Sequence, residues 1–574
     1  MKLDYPLGGS ASQRATRHGL CRQALCLWLG IHACAAFAIE DNERIERGGV
    51  ERPALPSFQK PDKSPLTFPP LPQAVEQDGK GANLAVKVTK IRLDGYSPRF
   101  EADLRKLVAP YEIRELTSED LQNLRQQLTL YYVNQGYINS GAILPDQKIE
   151  NGEVLIRIVE GNLSQIDISG NQRLRTSYLT ERIALDATAP LNVNALQQRL
   201  ELLRQSGLIS RINAELSPGL EAGTSLLKLA VQEARPYELY VSLSNHRSPS
   251  IGAYYPEIYG FHRNVSGRGD SIEARYGFSE GLDDYLLGYD LPLNAHDTTL
   301  SVRFTRSNSF VVEAPFTDLE IRSDTTSRSL GISHPLWQDL AGSLKLGLLY
   351  EQRDSDTYLL GIPFSFSAGI PDGKASEDVW RFSQEWTQRS QNQASALRST
   401  FSSGKTNTLA LPDVFGPNRD FLVWLGQFQW AKRTDNRSQW IFRLDTQLTQ
   451  DALLPMDKFG LGGANSVRGY RENQLMRDKG YVASLEYRIP LFANESGETP
   501  WQFALFSDYG RSWNAVGETL GPDHLSSVGV GVLWNPNTRF SGQLYLAHGF
   551  QNVENPSQDP QDSGVHFRFS YKIF

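Results

Sequence analysis

From Tyr237 to Phe574 apolar and polar residues alternate in short runs, and the last run is the clearest. Val565, Phe567, Phe569, Tyr571 and Ile573 interleave with His566, Arg568, Ser570 and Lys572. A period of two puts successive side chains on opposite faces of a strand. The same split recurs at Leu422, Trp424, Phe428 and Trp430, and at Trp440, Phe442 and Leu444 against Arg443, Asp445 and Gln447. It recurs again at Leu485, Tyr487, Ile489 and Leu491 against Ser484, Glu486 and Arg488. Gly, Asn, Asp, Ser and Pro punctuate the runs, as turns require. Sixteen runs are predicted, near 237–246, 251–262, 270–279, 283–292, 297–306, 322–336, 343–353, 379–388, 395–403, 420–432, 438–449, 481–491, 501–511, 525–534, 539–549 and 564–573.

Alternation alone does not say which face is inside. A soluble sandwich buries its apolar face, whereas a membrane barrel turns that face to lipid and lines a wet lumen with the polar one. The 338 residues from Tyr237 onward suit about sixteen strands of 9 to 11 residues with their connections. Together with the aromatics at strand ends and a final run reaching Phe574, this favours the membrane barrel. An even strand number places both barrel ends on the periplasmic side.

Ahead of the barrel, residues 84–235 read as one pattern written twice at an offset of 75. Ile91, Leu93, Gly95, Leu104, Leu121 and Leu128 correspond to Ile166, Ile168, Gly170, Leu179, Leu196 and Leu203. Each unit predicts a short strand ending at Gly, two helices and closing strands, Val154, Ile156 and Ile158 in one and Leu227, Leu229 and Val231 in the other. Thr117 is the expected N-cap of a helix carrying Leu121, Leu124, Leu128 and Tyr131 on one face, with Gly136 as its stop. In the second unit Leu196, Leu200 and Leu203 form the stripe and Gly207 ends it. The expected boundaries are 84–162 and 163–235, followed by the barrel at 236–574.

Residues 39–83 are charged and then proline-rich, with Pro53, Pro56, Pro61, Pro65, Pro69, Pro70 and Pro72, and read as an extended linker with a short helix expected from Ile39 to Gly48. Residues 1–38 read as a secretory signal peptide, with Arg14, Arg17 and Arg22, an apolar run from Ala24 and the cleavage signal Ala36-Phe37-Ala38. The apolar run is shorter than the roughly 20 residues a helical anchor needs.

Composition narrows the chemistry. All three cysteines, Cys21, Cys26 and Cys34, lie inside the signal, so disulfides, zinc sites and cysteine catalysis are not expected after its removal. Taking its four basic residues and one acidic residue from the count moves the net charge from −7 to −10, which offers no footprint for nucleic acid. His246, His262, His524, His548 and His566 have no ligand spacing, and Glu153 and Glu160 read as solvated faces. Nucleotide loops and catalytic triads find no defensible spacing, so neither an enzyme nor a cofactor is expected.

The longest connection of the later barrel, 453–478, carries Phe459-Gly460-Leu461-Gly462-Gly463 and Ser466-Val467-Arg468-Gly469-Tyr470-Arg471. In the run from Trp501, period two sends Trp501, Phe503, Leu505 and Tyr509 to lipid and places Asp508 on the lumen face with Phe506 and Gly510. A carboxylate in a confined pore calls for a cation, and Arg468 on a loop long enough to fold inward could supply a bidentate one.

The Val467-Arg468-Gly469-Tyr470 motif, the Phe506-Ser507-Asp508-Tyr509-Gly510 motif and the tandem modules resemble the two-partner secretion transporters, the FhaC- and ShlB-like TpsB group related to BamA-type barrels. The resemblance covers essentially the whole chain after the signal. It implies α+β periplasmic POTRA domains, with Gly136-Tyr137-Ile138 through Glu160-Gly161 closing the first, followed by an all-β 16-stranded transmembrane barrel in the outer membrane. It further implies an Arg468–Asp508 lock on the inward loop, a plug helix before the linker, and an insertion signal at Phe569, Tyr571 and Phe574, although Ile573 keeps the apolar parity and Phe574 falls outside it. The implied function is export of one large unfolded TpsA-type partner, an adhesin, haemolysin or contact-dependent toxin. Periplasmic chaperones and the barrel-assembly machinery would insert the transporter itself among outer-membrane lipids. A BamA-type assembly factor and a passive pore are the alternatives.

Overall fold

The computed structural model describes residues 46–47, 50–59, 66–67, 85–187, 189–221, 223–408, 416–492 and 499–574. The expected signal segment and most of the linker lie outside the described residues.

The first module places strands Lys90–Asp94 and Gly141–Ile143 on either side of Glu153–Val159. Helices α1 (Glu101–Val108) and α2 (Ser118–Asn134) cover one face of that sheet. Their stripe of Leu104, Val108, Leu121, Leu124 and Leu128 is buried against Ile91, Leu93, Val154, Ile156 and Ile158. Thr117 caps α2 reciprocally, its hydroxyl accepting from the Asp120 N–H at 3.1 Å while the Asp120 carboxylate accepts from the Thr117 N–H at 2.8 Å.

Two expectations change here. The last inward position of α2 is Tyr132, not Tyr131, because four residues on from Leu128 returns to the same face more closely than three. Glu160 is no solvated face either, since it accepts from the Ser97 N–H at 2.7 Å and from the Tyr132 hydroxyl at 3.0 Å. Burial, and then that carboxylate, push the Tyr132 hydroxyl far above the usual tyrosine range.

The second module repeats the scheme with helices α3 (Thr176–Ala184) and α4 (Val193–Gln205) over strands Ile209–Pro218, Thr224–Glu233 and Asn162–Ser169. Gly95 and Gly170 sit at equivalent turns with φ of +82° and +85°. A Cβ there would stand 2.4 Å from the Ile158 carbonyl oxygen and 2.2 Å from that of Val231, which explains glycine at both positions. Two linker residues, Leu66–Thr67, add a parallel strand to the Ile209–Pro218 edge. The helix expected at 39–48 does not hold over its described part, because Glu46–Arg47 pairs antiparallel with Val50–Glu51.

The barrel strands are Tyr237–Ser244, Tyr255–Arg263, Ser271–Ser279, Leu282–Pro292, Thr299–Phe310, Arg322–Gln338, Gly342–Leu359, Lys374–Arg389, Gln393–Thr406, Asp420–Arg433, Gln439–Thr449, Lys479–Pro490, Trp501–Trp513, His524–Trp534, Phe540–Gly549 and Val565–Lys572. Neighbours run antiparallel, and the last strand pairs with the first to close the ring. Val302, Phe304, Leu330, Leu505 and Phe569 stand exposed outside, while Arg381, Asp445, Glu486 and Asp508 are buried inside, so the apolar face meets lipid. The inner face is not uniformly polar, since Phe421 and Val423 point inward and pack on Val379 and Leu453 of the inward loop.

On the periplasmic side Arg182 of α3 pairs with Asp297 at 2.6 Å, and the Arg175 N–H donates to the Gly267 carbonyl at 2.9 Å. Residues 52–59, expected as part of an extended linker, lie along the lumen wall. Arg52 pairs with Asp445, Arg433 stacks over Phe58 at 4.3 Å, and the Gln59 N–H donates to the Ser390 carbonyl at 2.8 Å.

Candidate functional site

The connection between strands Gln439–Thr449 and Lys479–Pro490 folds into the lumen. Its stem is a short ribbon in which Phe459–Leu461 pairs with Leu475–Arg477. Gly462 and Gly463, at φ of +101° and +99°, turn the chain out of that ribbon into the tip, where the Arg468 side chain is 4% exposed.

The structure brings Arg468 and Asp508 together. Nε donates to Asp508 Oδ2 at 2.8 Å and Nη2 to Oδ1 at 2.9 Å, and the Arg468 backbone N–H reaches Oδ2 at 3.1 Å. This is the planar two-pronged contact that a guanidinium makes and an ammonium cannot. Two further donors are used as well: Nη1 reaches Glu486 Oε2 at 2.6 Å, and Nη2 reaches Ser484 Oγ at 3.1 Å. Glu486 is itself held by Arg488 Nε at 2.6 Å and by the Tyr545 hydroxyl at 3.0 Å. The guanidinium lies 3.5 Å from the centre of the Phe506 ring and 4.8 Å from that of Tyr545. Desolvating one cation is thus offset by two carboxylates and two ring faces.

The other motif residues fit the loop against the wall. Val467 is fully buried. A Cβ on Gly510 would meet Leu461 at 2.7 Å and Val467 at 3.0 Å, so the strand is glycine where the loop lies against it. The Gly469 N–H donates to His566 Nε2 at 3.0 Å. That ring is therefore neutral, with its proton on Nδ1. Tyr470 donates to the Ser526 carbonyl at 3.1 Å and lies over Gly549, where a Cβ would stand 2.7 Å from its ring. Phe569, Tyr571 and Phe574 stand apart from this cluster. Phe569 and Tyr571 face outward opposite Leu243 and Val241, and Phe574 lies beyond the strand with its ring edge-on to Tyr237 at 5.5 Å.

Sequence reasoning missed several partners. Ser484 and Glu486 were on the polar side of a predicted strand, but nothing in their spacing tied them to Arg468. His566 and Tyr545 carried no signal. Arg471, three residues beyond Arg468, forks onto Asp562 at 2.7 Å and reaches Glu313 at 2.7 Å, joining the loop to the surface connections at 311–321 and 550–564. The arrangement holds the loop against the lumen wall through charged and polar contacts.

Comparison with known proteins gives the same architecture. The family described as haemolysin secretion/activation protein ShlB/FhaC/HecB matches residues 223–533, and the ShlB-type POTRA domain matches residues 86–161. The heme/hemopexin transporter protein HuxB of Haemophilus influenzae is 23% identical, over 82% of each chain. The outer membrane transporter CdiB of Escherichia coli O6:K15:H31 (strain 536 / UPEC) is 23% identical, over 79% of this chain and 75% of that one. The solved structure of CdiB from Escherichia coli superposes with a TM-score of 0.66 at 21% identity, covering 88% of this chain and 94% of the other. BamA from Haemophilus ducreyi lacking POTRA domains 1–3 shares the fold more distantly, at a TM-score of 0.53 and 13% identity, covering 85% of this chain and 100% of that one. The family match decides between export and barrel assembly in favour of export. The chain belongs to the haemolysin secretion/activation family of ShlB, FhaC and HecB, outer-membrane transporters of the two-partner secretion type that carry secreted proteins through a sixteen-stranded barrel.

Proposed function

We propose that the inward loop closes this transporter's pore at rest and that Arg468, seated on Asp508 and Glu486, is its fastening. The supporting observation is the buried guanidinium itself, since every Arg468 contact runs from the loop to the barrel wall. Residues 52–59 share the lumen, so both the loop and this segment must yield before cargo passes. The chain is then divided as signal 1–38, linker 39–83, POTRA domains 84–162 and 163–235, and barrel 236–574.

The two modules capture the unfolded N-terminal region of one cognate large secreted protein by adding its strand to a sheet edge. The linker strand Leu66–Thr67 on the Ile209–Pro218 edge supports this, because it is an instance of that addition. Cargo then crosses the polar lumen, where its amides remain hydrated, and folds outside. That folding withdraws the emerged chain from the backward equilibrium, so neither nucleotide nor enzymatic step is needed. Periplasmic chaperones and the barrel-assembly machinery deliver the transporter, reading Phe569, Tyr571 and Phe574 on its last strand.

The test is Arg468→Ala in cells that also express the large open reading frame beside this gene. Insertion is expected to persist, seen as a heat-modifiable barrel band, while export of that protein drops strongly. Undiminished export by the inserted variant would refute the fastening.

A further inference from the structure

The loop that carries Arg468 has a second seat on another arc of the lumen wall, at strands Gly342–Leu359, Lys374–Arg389 and Asp420–Arg433. At its neck, Leu453 packs into an apolar notch formed by Val379, Phe421 and Val423, and Leu454 packs on Ile370. Asp457 follows, 5% exposed, facing two arginines of adjacent strands. Arg353 Nη1 meets Asp457 Oδ1 at 2.9 Å, and Arg381 Nη2 meets the same oxygen at 3.7 Å. Both arginines also serve wall glutamates: Arg353 pairs with Glu351 at 3.1 Å and with Glu377 at 3.4 Å, and Arg381 pairs with Glu351. On the wall two glutamates share the two arginines, and the fork geometry of a guanidinium leaves donors for a third carboxylate. The loop supplies that carboxylate.

The neck is also drawn together. The Gln447 side-chain amide donates to the carbonyls of Asp457 at 2.8 Å and Asp478 at 2.9 Å, the incoming and outgoing limbs of the loop. The Asp478 carboxylate accepts from the Leu453 N–H at 3.0 Å and from the Ala515 N–H at 2.8 Å. Beyond the neck the ribbon Phe459–Leu461 with Leu475–Arg477 makes a stiff arm leading to Arg468.

We infer that Asp457, held between Arg353 and Arg381, is a second fastening of the inward loop, a positioning residue that fixes the neck and thereby sets where Arg468 meets the wall. The inference rests on the reading of the loop as the pore's closure. The two seats divide the work: the tip can let go while the neck stays, so the loop swings as an arm about Leu453–Asp457 and is not expelled.

The experiment uses the full-length protein in planar lipid bilayers, comparing the unmodified chain with Asp457→Asn, Asp457→Glu, Leu453→Ala and Arg468→Ala. Barrel integrity is checked by heat-modifiable migration, and loop position by trypsin cleavage at Arg468, Arg471 and Arg477. Asp457→Asn is expected to raise resting conductance severalfold and to expose those arginines to cleavage, with Asp457→Glu restoring most of the closure. Leu453→Ala loosens the same neck without altering charge and should move both readouts in the same direction, which keeps the test decisive if Asp457→Asn inserts poorly. A rise with Arg468→Ala alone, with the neck variants resting as tightly closed as the unmodified chain, overturns the second fastening. No rise in any variant overturns the closure reading and this inference with it.

Discussion

The periplasmic modules and the barrel interior are both buried, but they are built from opposite materials. In the first module Leu104, Leu124, Leu128 and Ile156 are sealed from water among other hydrocarbon side chains. Inside the barrel the equally buried residues are Arg353, Arg381, Glu377, Arg468, Glu486 and Asp508. An apolar core has nowhere better to go, because opening it returns its surface to water at roughly 25 cal/mol per Å². Buried charges in a lumen have an alternative, because each guanidinium and carboxylate regains hydration when it parts. The modules are thus built to stay folded, whereas the proposed closure sits on a seat whose groups water can take over.

The sharpest way to break this comparison is to leave the charged interior unbalanced. Arg468→Ala strips Asp508 and one side of Glu486 of their cation, a loss on the order of 3 to 5 kcal/mol for a desolvated pair. It should abolish closure and most export while the barrel still inserts, as read by conductance and by secretion of the partner.

Next in size is the apolar core. Leu128→Ala should cost the first module about 2 to 5 kcal/mol through lost transfer energy plus a cavity. Limited trypsin digestion of the full-length protein should then show faster cutting within 85–161 with an unchanged barrel band. If the barrel loosened instead, the two interiors would not be independent.

A smaller effect sharpens the contact between loop and wall. Gly510→Ala places a methyl against Leu461 and Val467, an overpacking of about 1 to 3 kcal/mol. It should lift the tip and raise conductance less than Arg468→Ala does. The smallest is Thr117→Ala, worth about 1 kcal/mol of helix capping, measured by amide exchange in α2. The Asp120 carboxyl is held below its usual range, first by the Thr117 N–H and then by the Thr117 hydroxyl. Its contribution is therefore complete above the unfolded value near 3.9 and fades as pH falls below that value. Asp120→Asn should flatten that acid dependence of α2 protection.

Much of this molecule was legible because its signals are local. Each barrel strand announces itself by period two, and each of the sixteen predicted runs overlaps one strand of the barrel, with ends that differ by several residues in places. Arg468 and Asp508 could be paired because both sit in distinctive short motifs and one lumen must hold both. Glu486, Asp457 and His566 could not be found in this way. Their partners are 18, 104 and 97 residues away in the chain, and a charge placed by barrel closure leaves no periodicity behind. The reading of 39–48 as a helix failed over its described part for a related reason. A polar stretch before Gly48-Gly49 suits a helix end or a hairpin equally well, and the strand pairing of Glu46–Arg47 with Val50–Glu51 settles it. Tyr131 and Tyr132 differ by one step of a helix, about 100°, which adjacent tyrosines cannot resolve from pattern alone.

The bridge made by Gln447 between the two limbs of the loop has a kinetic consequence. A stopper joined to its own channel at both ends meets its seat as an intramolecular partner, at the high effective concentration that a short tether imposes. If the loop is the closure proposed above, resealing after each passage is first-order. It proceeds at the same rate whatever the number of transporter copies in the membrane, and no diffusible plug has to be recaptured.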